Sequence, residues 1–257
     1  MKAIVIAAGM GQRLQHHTAE VPKCLVEVAG KPILRHQVDP FHAEGVERIA
    51  VIRGYLAAKI TYPDLVYYEN PDFRVNNILE SLFCAEPEMD GPFLSTYADI
   101  LYDRSVVRAV LDAPGDICLV VDRGWARTYE GRTDHPIVEA ELTEIDAQGR
   151  VLQVGKHVGP ERALGEFIGL ARYSAEGARL MRTVYQEVRE RYLAHPELPF
   201  QAAKTFRKAY LTDLFEELIA RGADVRCAAI DGHWREIDTV QDLERARELL
   251  GPHGALA

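Results

Sequence analysis

Cysteine is scarce in this 257-residue chain: Cys24, Cys84, Cys118 and Cys227 are scattered, with no CxxC pair and no Cys/His cluster. That spacing argues against a zinc site, and free thiols are expected. Long hydrophobic runs are missing too. No stretch approaches the roughly 20 apolar residues of a membrane-spanning helix, and apolar residues 1–9 are too short a run for a signal peptide and carry no cleavage site. A cytoplasmic protein with no membrane insertion is expected. Positive charge is in deficit, with 30 Lys and Arg against 39 Asp and Glu and a net charge of −9. This balance argues against nucleic acid as a partner. Repeats, low-complexity tracts and linker-like composition are also lacking, so one domain over residues 1–257 is expected.

What is present is a strand–helix alternation. Apolar patterning predicts strands over 2–8, 48–53, 65–70, 93–102 and 116–123, with helices over 76–89 and 104–113. Asn76 or Asn77 is a candidate cap for the first of these helices. Such alternation implies crossover connections and a mainly parallel sheet between helical layers. Beyond Asp122 the pattern changes. Segments 137–145 and 150–158, joined by the turn 146–149, read as a β-hairpin. Helices over 175–194 and 209–222, a strand over 224–231 and a helix over 239–250 complete the chain. The fold class expected is α/β, a Rossmann-like three-layer αβα arrangement with a mainly parallel mixed sheet and an inserted hairpin.

The first turn is defined by what it omits. Gly9 and Gly11 follow the opening strand, and a turn free of Cβ atoms lets backbone N–H groups approach phosphate. A P-loop would need Gly-Lys-Ser/Thr, which is absent. A dinucleotide fold would need a third glycine where Leu14 stands, and an acid near the end of the second strand, where Arg53 stands.

The stretch "AAGMGQRL…T…VPKCLVEVAGKPIL" resembles the signature loop of the nucleoside-triphosphate:sugar-phosphate nucleotidyltransferase superfamily, carried by Ala7, Ala8, Gly9, Gly11, Arg13, Thr18, Pro22 and Lys23. Many members have proline where this chain has His16. The resemblance implies a GT-A-like nucleotidyltransferase fold, with residues 1–123 as nucleotide-binding half and 124–257 as acceptor-binding half with the C-terminal helices. Loop residues Ala7, Ala8, Gly9, Met10 and Gly11 would hold the nucleotide, with Asn76, Asn77, Ser81 and Ala98. Arg13 would fork onto the leaving phosphates and Lys23 would neutralise charge near the α-phosphate. Asp99 in "LSTYADILYD" and Asp238 in "HWREIDTVQDL" match the family's Mg2+ ligands, with Ala98 where the family has glycine. Lys156 occupies the place of a lysine that contacts substrate phosphate. The resemblance allows a homodimer.

Several segments, among them "ENPDFRVNNILESLF", "VVDRGWARTYEGR", "GEFIGLARYS" and "HWREIDT", resemble phosphocholine cytidylyltransferases and their phosphonate-using relatives. A quaternary ammonium or primary amine is well held by aromatic faces and carboxylates. Trp125, Tyr129, Trp234, Asp122, Glu166 and Glu236 are the candidates for that role. The implied activity is Mg2+-dependent transfer of CMP from CTP to a small phosphorylated or phosphonate acceptor. A sugar-1-phosphate uridylyl- or guanylyltransferase and a non-catalytic nucleotide sensor stand as alternatives.

Overall fold

The computed structural model describes residues 1–250 and Leu256. The opening apolar run forms β1 (Lys2–Ala7), whose last five residues are all buried, as in a strand covered on both faces. In chain order there follow β2 (Glu27–Val28), β3 (Lys31–Pro32), α1 (Ile33–Ala43), β4 (Arg48–Arg53), β5 (Val66–Glu69), α2 (Ile78–Phe83), β6 (Phe93–Tyr97), β7 (Ile100–Tyr102), α3 (Arg104–Asp112) and β8 (Ile117–Asp122). The remainder comprises β9 (Leu142–Ile145), β10 (Val151–Gly155), β11 (Gly165–Tyr173), α4 (Ala175–Ala194), α5 (Leu211–Ala220), β12 (Val225–Ile230), β13 (Trp234–Glu236) and α6 (Val240–Leu250). Among the described residues, no helix is long and apolar enough to cross a membrane.

Nine strands make one mixed sheet in the order β10-β9-β11-β6-β1-β4-β5, with β8 and β12 reached through β11. Pairing is parallel for β1 with β4 and β6, for β4 with β5, and for β8 with β12. It is antiparallel where β11 meets β6, β8 and β9, and in the β9–β10 hairpin. Alternation along β1 sorts the core into two layers. Ile4 and Ile6 pack with Leu82 of α2, Met181 of α4 and Leu214 of α5; Ala3 and Val5 pack with Phe41 of α1 and Val107 of α3. The fold is thus three-layered, with the hairpin β9–β10 at one edge.

The structure departs from the sequence expectations at identifiable residues. The helix expected over 76–89 ends at Phe83, and a separate 3-10 turn occupies Glu86–Met89. Pro87 has no N–H to give the Phe83 carbonyl and its ring would strike it. Asn77 does take the N-cap position, but its side chain donates to the Lys208 carbonyl (3.0 Å) instead of capping. The strand expected over 93–102 breaks between Tyr97 and Ile100, and β7 leaves the sheet to pair with β13. Residues 137–139 form a 3-10 turn, so the first hairpin strand starts only at Leu142. Besides the short strands β2, β3 and β13, two longer elements escape the patterning altogether. One is α1, with Pro40 inside it; the other is β11, whose nine residues are all buried. Polar residues interrupt the apolar run of β11, and Arg172 is tolerated because it donates to the carbonyls of Val110, Ala113 and Gly115 at 2.7–2.9 Å.

Candidate active site

After β1 the chain turns through Gly9 to Gly11. Gly11 has φ +60°, and a Cβ there would lie 2.9 Å from Lys23 Cβ. Glycine therefore serves both the left-handed backbone and the close approach of the lysine. The hydroxyl of Thr18 donates to the carbonyls of Gly11 (3.0 Å) and Gln15 (3.2 Å), closing the loop on itself. Leu14, where a dinucleotide site would need glycine, is fully buried against Ile33, Ile237 and Leu243 and anchors the loop to α6. His16 and His17 lie with ring centroids 4.0 Å apart, on a segment that Gln15 splits with φ 51°; neither lines the cavities described below.

The break after β6 is what presents Asp99. Its exposed carbonyls do not go begging: buried Gln37 donates to Tyr97 O (2.6 Å) and Ile100 O (2.7 Å). The Asp99 carbonyl accepts from the Ile237 N–H at 2.8 Å, which draws the β13–α6 turn across and sets Asp238 opposite Asp99. Lys23 Nζ then bridges the two carboxylates, 2.9 Å from Asp99 Oδ2 and 2.8 Å from Asp238 Oδ1. Asp238 Oδ2 also receives Arg13 Nη2 at 2.6 Å and lies 2.9 Å from His135 Nδ1. Burial works against the charge of both Lys23 and Asp238, yet their partners outweigh it. The lysine is held above its ordinary pKa by Asp99 and Asp238, and the aspartate below its own by His135, Lys23 and Arg13.

This donor set fits a hard divalent cation. Two carboxylates converge on one cationic point, and Asp99 Oδ1 is buried with no hydrogen-bond partner among the described residues. His135, Glu236 and Asp238 also bring ligand atoms within 4.8 Å of one another.

Two cavities meet at this pair. The larger, about 530 Å³, is lined by residues 7–11, Asn76, Asn77, Ser81 and Ala98, so every residue expected at the nucleotide borders it, along with Arg13 and Lys23. Asn70 orders the asparagine wall, donating to Ser81 Oγ (2.7 Å) and exchanging amide bonds with Asn76. A smaller cavity of about 180 Å³ opens from the same edge, sharing Arg13, Tyr97, Asp99 and Asp238. Its lining carries both signs of charge: Arg13 and Lys156 are there, and besides Asp99, Asp238 and Glu139 so are three further carboxylates, Glu141, Glu166 and Glu236.

Those three carboxylates are all pushed upward by burial. Glu141 reaches about 7, although it accepts from Thr212 (2.8 Å) and Tyr97 (3.3 Å). Glu166 reaches about 8, with Glu236 adding to the effect of burial, and its Oε1 accepts from the Tyr129 hydroxyl at 2.6 Å. Glu236 is raised as well, despite an ion pair with Arg132 at 2.7 Å. Lys156 pairs with Glu139 (2.6 Å) and lies 4.8 Å from the centre of the Tyr210 ring.

Not every acceptor candidate reaches this cavity. Trp234, Glu166 and Glu236 line it, whereas Asp122 and Trp125 do not. Asp122 is fully buried and its oxygens are already taken by Gly124 N (2.9 Å), Gly232 N (2.9 Å) and Trp234 Nε1 (2.8 Å). It borders a separate cavity of about 480 Å³ instead, which Trp234 and Glu236 also line. Trp125 and Tyr129 pack edge to face in a small cluster with Ala140, Leu142 and Val158, and Tyr129 touches the site only through its hydroxyl. Conversely, Tyr97, His135, Glu139, Glu141 and Tyr210 line the cavity without having been singled out. The one signal for two of them is alternation: Glu139 and Glu141 are spaced by two among apolar residues.

A glycine turn after the first strand of a doubly covered sheet, with a lysine-bridged aspartate pair beside it, defines a nucleotidyltransferase. Residues 3–147 match the MobA-like NTP transferase domain, and the chain belongs to that family. It is similar over nearly its full length to the CTP:phosphoglutamine cytidylyltransferase of Campylobacter jejuni, at 28% identity covering 95% of this chain and 98% of the relative. The 2-aminoethylphosphonate cytidylyltransferase of Lancefieldella rimae is 27% identical over 72% of this chain and 73% of its own. Among solved structures, the CTP:phosphocholine cytidylyltransferase from Streptococcus pneumoniae superposes with a TM-score of 0.72 at 21% identity, covering 97% of this chain and 99% of that one, which shows the shared fold.

Proposed function

We propose that the protein is a Mg2+-dependent cytidylyltransferase, transferring CMP from CTP to a small acceptor that joins a phosphate or phosphonate to an amine. The observation that carries this reading is a cavity beside the aspartate pair whose lining carries both signs of charge, Arg13 and Lys156 together with the buried carboxyl groups of Glu141, Glu166 and Glu236. A zwitterionic acceptor brings a group of opposite sign to each kind of charge in that lining; a sugar ring brings no charge to its carboxylates. The names of these two relatives support CTP as donor and a phosphorylated or phosphonate headgroup as acceptor. Residues 1–257 are read as one catalytic unit, supported by a sheet that draws strands from both halves.

In this reading CTP lies along residues 7–13 with its base toward the Asn76–Ser81 wall. An acceptor oxygen, already ionised at neutral pH, attacks the α-phosphorus in line; the bond to the bridging oxygen breaks and pyrophosphate leaves with the electron pair. Lys156 holds the acceptor phosphate, Lys23 faces the α-phosphate, and Arg13 forks onto the departing phosphates. A divalent cation held by Asp99 and Asp238 would supply further charge neutralisation to the phosphates.

Pyrophosphate release from a panel of nucleoside triphosphates and acceptors tests the reading. Release is expected with CTP and 2-aminoethylphosphonate or a phosphorylated amino alcohol. Release with UTP or GTP and a sugar 1-phosphate, or CTP binding without release from any acceptor, overturns it.

A further inference from the structure

Glu166 carries an unmet demand. It is 6% exposed at the start of β11, its Oε1 accepts from Tyr129, and its Oε2 is buried with no hydrogen-bond partner among the described residues. Glu141, 9% exposed, sits on the adjoining strand edge, where its own carbonyl accepts from the Phe167 N–H at 2.8 Å. Both carboxylates border the same small cavity, with Glu236 beside them. A buried acceptor left without a donor is costly, and the cost persists unless the ligand itself brings a hydrogen.

From this we infer that the acceptor's cationic end carries N–H bonds, a primary or secondary ammonium, and that Glu166 with Glu141 is the seat that selects it over a quaternary ammonium. The inference rests on the cytidylyltransferase reading and narrows its acceptor. A trimethylammonium group brings charge but no donor, so Glu166 Oε2 would stay unmet beneath its methyl groups. Recognition of a quaternary cation relies instead on free aromatic faces, and those are in part taken. The ring of Tyr210 is faced by Lys156, and Trp125 packs elsewhere. A primary ammonium has three donors, enough for Glu166 Oε2 and for the remaining lone pairs of Glu141 and Glu236.

The test uses the unaltered enzyme with CTP, Mg2+ and two acceptors that differ only at nitrogen, 2-aminoethylphosphonate and its N,N,N-trimethyl analogue. The primary amine is expected to have kcat/KM higher by about tenfold or more, as an unmet buried acceptor implies, with the difference mainly in KM. In Glu166→Gln the preference is expected to shrink while the KM for CTP stays unchanged; Glu141→Gln should shift it in the same sense. Equal or better use of the trimethyl compound by the unaltered enzyme overturns the inference and leaves the cytidylyltransferase reading standing. Release with sugar 1-phosphates and with neither amine overturns that reading and the inference with it. If Glu166→Gln loses activity toward both acceptors without changing their ratio, Glu166 is structural and not the selecting residue.

Discussion

Lys23 stands between two carboxylates, only 12% exposed at its side chain, and holds Asp99 and Asp238 together. Removing one member of a buried ion cluster leaves the others uncompensated. Lys23→Met is therefore expected to destabilise the protein by about 3 kcal/mol in metal-free urea unfolding. Adding Mg2+ should recover more of that loss in the variant than it adds to the unaltered protein, because the freed carboxylates suit a hard cation. An identical Mg2+ response in both would refute the convergence of Asp99 and Asp238 on a metal. Glu141 and Glu166 give a second residue-scale expectation. Their folded values of about 7 and about 8 lie above the ordinary 4.5, so between those limits the native state keeps protons that the unfolded chain has released. Their contribution to stability is thus complete below pH 4.5 and lost as the pH rises through 7 and 8. Without acceptor, the unfolding midpoint of the unaltered protein should fall relative to that of Glu166→Gln between pH 6 and 9. Parallel profiles would show that Glu166 does not hold its proton.

At the level of elements, the site is made where strands stop. Asp99 is presented by the gap between β6 and β7, and Asp122 ends β8 by gathering Gly124, Gly232 and Trp234. Asp122→Ala would orphan two backbone N–H groups and an indole N–H, and about 3 kcal/mol of stability should go with them. Since Trp234 and Glu236 belong to the same short strand, the variant should also raise the acceptor KM while leaving the KM for CTP unmoved. A rise confined to the KM for CTP would contradict the division between the two cavities. The same elements show how far the sequence could be read. The β1 strand, the glycine turn and the α4 and α6 helices were legible because their signals are local. The break at Asp99 was not, since the group that satisfies its carbonyls, Gln37, lies 60 and 63 positions away in the chain. Nor did pattern alone give the partnership of Lys23 with Asp238, separated by 215 positions; the resemblance supplied both residues, and the geometry joined them. Asp122 and Trp125 misled because a carboxylate and an indole look the same in sequence whether they face a ligand or a neighbouring loop.

For the molecule as a whole, the net charge of −9 coexists with a cleft edged by the cations Arg13 and Lys23. Each is supplied by the first half of the chain, while Asp238, Glu166 and Glu236 come from the second, and the sheet through β11 fixes the two sets against each other. In the proposed reading the small cavity is a socket that meets both charged ends of the acceptor before any bond is made. A molecule with the same charge spacing and a feeble nucleophile should lodge in it and go no further. The sulfonate counterpart of the acceptor, 2-aminoethanesulfonate, is expected to inhibit competitively against the acceptor without raising the KM for CTP. Competition against CTP alone would mean that the sulfonate occupies the nucleotide cavity and not the socket.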